Sequence, residues 1–267
     1  MYWGGSSNMA LLMVFTIYSF HKHNPDWKII IYRTKQKDED LGRQVYVRDY
    51  TGEDYFYLVE DLDYVTIKTI DIADYGVNSD AHSILGSDIF RTNVLYREGG
   101  IYSDLDVIWL KPLSEFNNIE AIGDPSDFET TVCYFNYFIG HHTMSNILSE
   151  PGGPFLASVI EDQKKIKPPY GHLAFSTQLL NEKYPGIGLI HARYPRVLGL
   201  RYETFYPYSI FHLEQLCLQN DIRPLNSKNV MCVHWFNGHD LTKDYINGEG
   251  FNRHCSMTTI LKCEGYI

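Results

Sequence analysis

Residues 8–21 are apolar nearly all round a helical wheel, and a β-prone run stands on either side, Met1-Tyr2-Trp3 before and Trp27 to Tyr32 (WKIIIY) after. A helix without a polar face must be covered on every side. The second run is β-branched and unbroken, which suits a strand buried on both faces of a parallel sheet. Gly4-Gly5-Ser6 and Asn24-Pro25-Asp26 supply the turns between them. Strand, helix, strand at the start of a chain predicts an α/β fold, here a mixed, mainly parallel central sheet flanked by helices. The apolar stretch at 9–20 spans 12 residues, whereas a membrane-crossing helix needs about 20. It also lacks a basic leader and a small-residue cleavage site. No membrane span is expected, and a cytoplasmic location is the default.

Further along, the pattern predicts a strand at 64–70, a helix at 81–98 stopped by Gly99-Gly100, and a strand at 101–110. A strand at 132–139, helices at 155–165 and 174–183 and a strand at 229–236 follow. Residues 35–63 are charged and Tyr-rich, with a helix expected only near 54–62, and the last 30 residues carry little signal. No Pro/Gly/Ser-rich spacer divides the 267 residues, so one domain, 1–267, is expected.

Charge removes one class of function. The chain carries 33 acidic against 23 basic residues, a net charge of -10. A nucleic-acid binder shows a basic footprint, so nucleic acid is not an expected partner. An anionic ligand stays admissible, because a bound divalent cation inverts the local field. The five cysteines (133, 217, 232, 255 and 263) are odd in number and form no Cys-x-x-Cys. That argues for free thiols over a disulfide framework or a zinc site. The 21 tyrosines serve either core packing or flat platforms for sugar rings and bases.

Three Asp-x-Asp pairs occur, at 38/40, 61/63 and 104/106. The first two sit in polar surroundings and read as solvated surface. Asp104 and Asp106 interrupt an apolar run, and strict alternation places Tyr102, Asp104, Asp106, Ile108 and Leu110 on one face of a strand. Two buried carboxylates side by side repel unless a cation intervenes. A hard divalent ion, Mn²⁺ or Mg²⁺, takes such ligands together with substrate phosphates. The alternatives are a strand end open to water and pairing with arginine. Asp88 and Arg91 are three apart in the expected helix and share a face. They form either a surface ion pair or a unit that holds sugar hydroxyls and diphosphate.

Ser87-Asp88-x-x-Arg91, Leu95-Tyr96 and Gly99-Gly100-Ile101-Tyr102-Ser103-Asp104-Leu105-Asp106-Val107 together resemble the core motif of the Asp-x-Asp, sugar-binding-region glycosyltransferases. That family includes initiating mannosyltransferases, α-1,4-galactosyltransferase-like enzymes and the catalytic domains of glucosylating toxins. Trp3-Gly4-Gly5, Asn24-Pro25-Asp26-Trp27, Phe205-Tyr206-Pro207 and Val233-His234-Trp235 extend the likeness, while 115–200 matches poorly. The first strand is shorter than in such relatives.

The resemblance implies a single GT-A-type nucleotide-binding domain, with a nucleotide-sugar-binding half at about 1–112 and an acceptor-binding and closing half at about 113–267. It implies a nucleotide-sugar donor, UDP-sugar ahead of GDP-sugar, a carbohydrate or other hydroxyl acceptor, and retention at the anomeric carbon. Asp104, Asp106 and His234 would hold the metal, and Asp104, Asp106 and Arg91 would form the catalytic set. Asp88, Arg91, Trp3, Gly100, Tyr102, Asp104 and Asn237 would contact the donor. Asn136, Gln178 and Glu203 are candidate late polar residues, and Tyr134, Tyr137, Tyr170, Tyr202, Tyr206 and Tyr208 are candidate sugar platforms. Two competing readings remain. One is a non-catalytic nucleotide-sugar or carbohydrate binder. The other is a haloacid-dehalogenase-like phosphatase, with Asp104-x-Asp106 as nucleophile motif and Gly123-Asp124-Pro125-Ser126-Asp127 as the later acidic motif.

Overall fold

The computed structural model describes residues 1–3, 8–35, 50, 52–77, 83–134, 142–143, 146–165, 182–246 and 248–267. Strands β1 (Tyr2–Trp3), β2 (Ile29–Thr34) and β3 (Val65–Ile70) form an all-parallel sheet in that order. Helix α1 (Leu11–His23) makes the crossover from β1 to β2. One side of α1 packs Val14, Ile17 and Phe20 with Ile29 and Ile31 of β2. The other sets Leu12 and Phe15 among Ile108, Val233 and Trp235. Burial from both directions is why its sequence has no polar face.

A second, six-stranded sheet is mixed. Its main path joins β4 (Gly100–Ser103), β9 (Asn146–Ser149), β7 (Thr130–Tyr134), β10 (Val197–Arg201) and β6 (Ala121–Ile122), with β8 (His142–Thr143) on β7. Strands β5 (Val107–Trp109) and β11 (Cys232–His234) form a separate antiparallel pair. Among the described residues, parallel pairing is confined to β1–β2, β2–β3 and β7–β10. The helices that matter here are α2 (Ser83–Glu98), α3 (Pro154–Gln163), α4 (Ile187–Arg193) and α5 (Ser256–Glu264).

The fold is mixed α/β with a mixed sheet flanked by helices, as expected, but the sheet is not mainly parallel: most pairings among the described residues are antiparallel, because β4, β6, β8 and β9 join by antiparallel ladders. A second departure bears on the site. The strand expected at 101–110 is broken: β4 ends at Ser103, β5 starts at Val107, and 104–106 lies outside both ladders. Like charges two residues apart are poorly placed in a continuous buried ladder, and the bend frees them from strict alternation. Strand β10 and helix α5, which the sequence pattern did not announce, complete the closing half. The expected helix at 174–183 lies mostly outside the described residues, as does the end of the strand expected at 132–139. No helix among the described residues is long and apolar enough to cross a membrane.

The reversal from α2 into β4 depends on glycine. Gly99 takes φ 69° and Gly100 φ 90°, in the region L side chains avoid. The Gly99 N–H caps α2 at the Leu95 carbonyl (2.9 Å). A Cβ on Gly99 would stand 2.7 Å from Pro151 Cδ and 3.1 Å from the Ser149 carbonyl oxygen. Gly99→Ala is expected to cost about 1–3 kcal/mol through strain and collision together, measured as a fall in the urea midpoint at unchanged slope.

Candidate active site

The turn at Gly99 folds β4 back beside α2, so that Asp88 and Arg91 meet the segment leaving β4. Arg91 is buried, yet its guanidinium reaches two carboxylates, Asp88 Oδ1 at 3.2 Å and Asp104 Oδ1 at 3.3 Å. It also donates to Ser87 Oγ (3.0 Å), and its Cζ lies 4.8 Å over the Tyr102 ring. The Tyr102 hydroxyl is 3.2 Å from Ser87 Oγ. The Asp88–Arg91 pair is therefore a buried anchor in the structure, not a solvated surface pair. Burial works against the charge on Arg91, but Asp104 and Asp88 outweigh it and keep the guanidinium protonated.

From the other side comes β11. Its pairing with β5 sets His234 opposite Val107 and brings His234 Nε2 to 3.1 Å from Asp106 Oδ1. The chain then turns sharply. Phe236 takes φ 54°, the one positive value among described non-glycine residues. The Trp235 N–H donates to the Asp106 carbonyl (2.9 Å), and the Asn237 N–H donates to Asp106 Oδ2 (2.9 Å). Residues held in this region at a cost of about 1–3 kcal/mol gather at functional sites. The Phe236 N–H meets His234 Nδ1 at 3.2 Å, and Nε2 is the ring nitrogen that faces Asp106.

The two carboxylates have diverged. Burial pushes the Asp104 carboxyl up, Asp106 adds to this, and Arg91 only partly offsets it. Burial also acts on Asp106, but His234 and the Asn237 N–H hold it below the usual carboxylate range. For His234, burial opposes the imidazolium and Asp106 favours it, with a net upward direction. The Nδ1 contact with Phe236 pulls the other way, since it needs a lone pair. One ligand atom each from Asp104, Asp106 and His234 lies within 4.8 Å of the others, the arrangement that suits a shared cation. Burial of these groups with no full neutralisation of Asp104 fits the same ion.

The structure places other candidates elsewhere. Trp3 ends β1 opposite Arg33, and its side chain lies outside the described residues. Gly100 is exposed at the start of β4. Tyr202 and Tyr206 stack with centroids 4.4 Å apart, and Tyr206 stands 5.0 Å from His234. Tyr208 is a core residue, fully buried, with its hydroxyl on the Asp221 carbonyl (2.7 Å). Glu203 accepts from Asn229 (2.9 Å) and Ser227 (3.2 Å), a structural engagement. Asn136, Gln178, Tyr137, Tyr170 and the side chain of Tyr134 lie outside the described residues. Two contributors escaped the sequence reading, Ser87 as a partner of Arg91 and Phe236 as the turn residue. The phosphatase alternative loses its second motif: the Asp124 carboxylate accepts from the Ser126 N–H (2.8 Å), and Asp127 pairs with Arg196 (3.1 Å) at the surface. Neither joins the cluster.

A cavity of about 190 Å³ opens between β2 and β4, lined by Ile29, Ile30, Leu95, Ile101 and Tyr102 among others. Its lining includes none of Asp104, Asp106 and His234, and the carboxylate cluster is the better-founded chemical site.

These features define an α/β protein with an acidic, cation-ready cluster beside a buried arginine. Residues 13–128 match the glycosyltransferase sugar-binding region containing a DXD motif. Over that segment the chain is similar to glycosyltransferases. No curated protein matches the chain. Similar solved structures include the PaToxG glycosyltransferase, 19% identical over 72% of each chain with a TM-score of 0.47. Another is the galactosyltransferase LgtC in complex with donor and acceptor sugar analogues, 10% identical over 92% of this chain and 94% of that one, with a TM-score of 0.46.

Arg91→Met removes the cation from two buried carboxylates and is expected to destabilise the fold by about 3–5 kcal/mol. Adding Asp104→Asn should return part of that loss, which a double-mutant cycle in urea reads directly.

Proposed function

We propose that this protein transfers a sugar from a nucleotide-diphosphate sugar to a hydroxyl of a glycan or other acceptor, with a divalent cation held by Asp104, Asp106 and His234. The observation that carries the reading is the convergence of those three ligand atoms within 4.8 Å, next to a guanidinium already committed to Asp104 and Asp88. The imidazole in the donor set favours Mn²⁺ over Mg²⁺, which prefers an all-oxygen shell. A cation bound there supplies Lewis-acid stabilisation of the departing diphosphate.

The chain's own residues prepare that event. Arg91 presents a fixed positive charge to the diphosphate side of the site, and because it is already immobilised it needs no reorganisation. Asp88, on the same helical face, would accept from sugar hydroxyls. Asn237 and His234 hold the Asp106 carboxylate in one orientation, so a ligand atom is ready before the cation arrives. The Tyr202–Tyr206 stack offers an aromatic face beside His234, suited to a base or a sugar ring.

Retention follows from the family resemblance, and a same-face route is the favoured form of it. The bond from the anomeric carbon to the phosphate oxygen breaks, the acceptor oxygen bonds to the same face, and its proton passes to the leaving phosphate. The carboxylates at the site are engaged with Arg91, His234 and Asn237, which disfavours any of them as a covalent nucleophile. A UDP-sugar is the favoured donor, with a GDP-sugar second.

The test is a thermal-shift panel of UDP- and GDP-sugars with and without Mn²⁺, followed by turnover of the best donor. A Mn²⁺-dependent shift with one nucleotide is expected. Asp106→Ala should abolish donor turnover, by about a hundredfold or more, while still unfolding cooperatively. Wild-type turnover in Asp106→Ala would remove the metal assignment. Donor bound but left intact by the wild type, even by water, would make the protein a binder.

A further inference from the structure

We propose that Thr16 is a positioning residue for Asp106, acting through the backbone of the Asp-x-Asp segment. The inference rests on the reading that Asp106 holds the cation. Helix α1 is apolar nearly all round, yet it carries two fully buried hydroxyls, Thr16 and Ser19. Three residues apart, they share one face. A buried hydroxyl in a helix ordinarily bonds back to a carbonyl of its own preceding turn. Ser19 does so, donating to the Thr16 carbonyl (3.0 Å).

Thr16 sends its hydrogen out of the helix instead. Its Oγ1 donates to the Leu105 carbonyl (2.8 Å) and accepts from the Val107 N–H (3.3 Å). One oxygen atom therefore ties the two peptide groups that flank Asp106. The opposite edge of the same segment is held from the residue that follows β11, where the Trp235 N–H donates to the Asp106 carbonyl. Asp106 sits where β4 has ended and β5 has not begun, so no strand ladder fixes its backbone on the α1 side. The Thr16 hydroxyl does what a neighbouring strand would do. Ser19 repeats the device at a distance, since its Oγ accepts from the Trp109 N–H (3.0 Å), three residues past Asp106.

That second hydroxyl supplies the control. Thr16→Val, Thr16→Ser and Ser19→Ala would be titrated with Mn²⁺ alone, with free ion counted from its electron paramagnetic resonance signal and stability followed in urea. Thr16→Val leaves the Leu105 carbonyl and the Val107 N–H without a partner, and it should weaken Mn²⁺ binding about tenfold. Thr16→Ser keeps the hydroxyl and Ser19→Ala disturbs a distant peptide, so both should stay within about threefold of wild type, even where Ser19→Ala loses as much stability. Thr16→Ala, which also lacks the hydroxyl, takes the place of Thr16→Val if the latter does not fold. Unchanged binding in the hydroxyl-free variant, or equal weakening in Ser19→Ala, would overturn the role of Thr16 and leave the cation site standing. A wild type that binds no Mn²⁺ would remove the cation reading, and this inference with it.

Discussion

Asp104 and Asp106 stand two residues apart in a setting mostly closed to water, and the surrounding structure answers the resulting repulsion. A basic side chain approaches each carboxylate from a different direction. Arg91 comes from helix α2 and faces Asp104; His234 comes from strand β11 and faces Asp106. The two contacts fix where α2 and β11 lie relative to the segment leaving β4. They also split the carboxylates electrostatically, so that Asp106 holds its charge more readily than Asp104. Neutralisation of the pair is left incomplete, which is the state in which a further positive charge is welcome.

The break between β4 and β5 follows from the same constraint. A continuous strand would hold both side chains in one pleated row. Ending one ladder at Ser103 and opening another at Val107 lets the carboxylates converge with His234, but it strips the backbone of regular partners. The replacements are local and individually weak: a hydroxyl from α1, and the N–H groups of Trp235 and Asn237. The left-handed turn at Phe236 is needed for the last two to point at one residue.

Much of the first half was legible in the sequence because its signals are local. The three-residue spacing of Asp88 and Arg91, the glycine pair that stops α2, and a charged pair inside an apolar run each state a geometry within one or two elements. Other features depend on contacts between residues far apart in the sequence. His234 reaches Asp106 only because β11 pairs with β5. Strand β10 pairs with both β7 and β6, yet its run V-L-G-L-R carries a glycine that reads as a weakness. In the fold that glycine leaves room for Ile187, whose Cγ1 would stand 2.6 Å from a Cβ there. The hydroxyl of Thr16 was visible as a polar residue in an apolar helix, but nothing in the one-dimensional pattern named its partner. Alternation failed at 104–106 because periodicity assumes an unbroken strand.

Strand β5 takes its hydrogen-bond partners from opposite ends of the chain, from α1 on one edge and from β11 on the other. The natural-looking division near residue 112 therefore runs through a shared strand and not between two self-sufficient units. A piece ending there would keep the α1 contacts and bare the other edge of V-I-W, three fully buried apolar residues. Unpaired apolar edges of that kind recruit strands from other molecules. In the fold the closing half covers that edge through β11, so the burial of β5 is a property of both halves together.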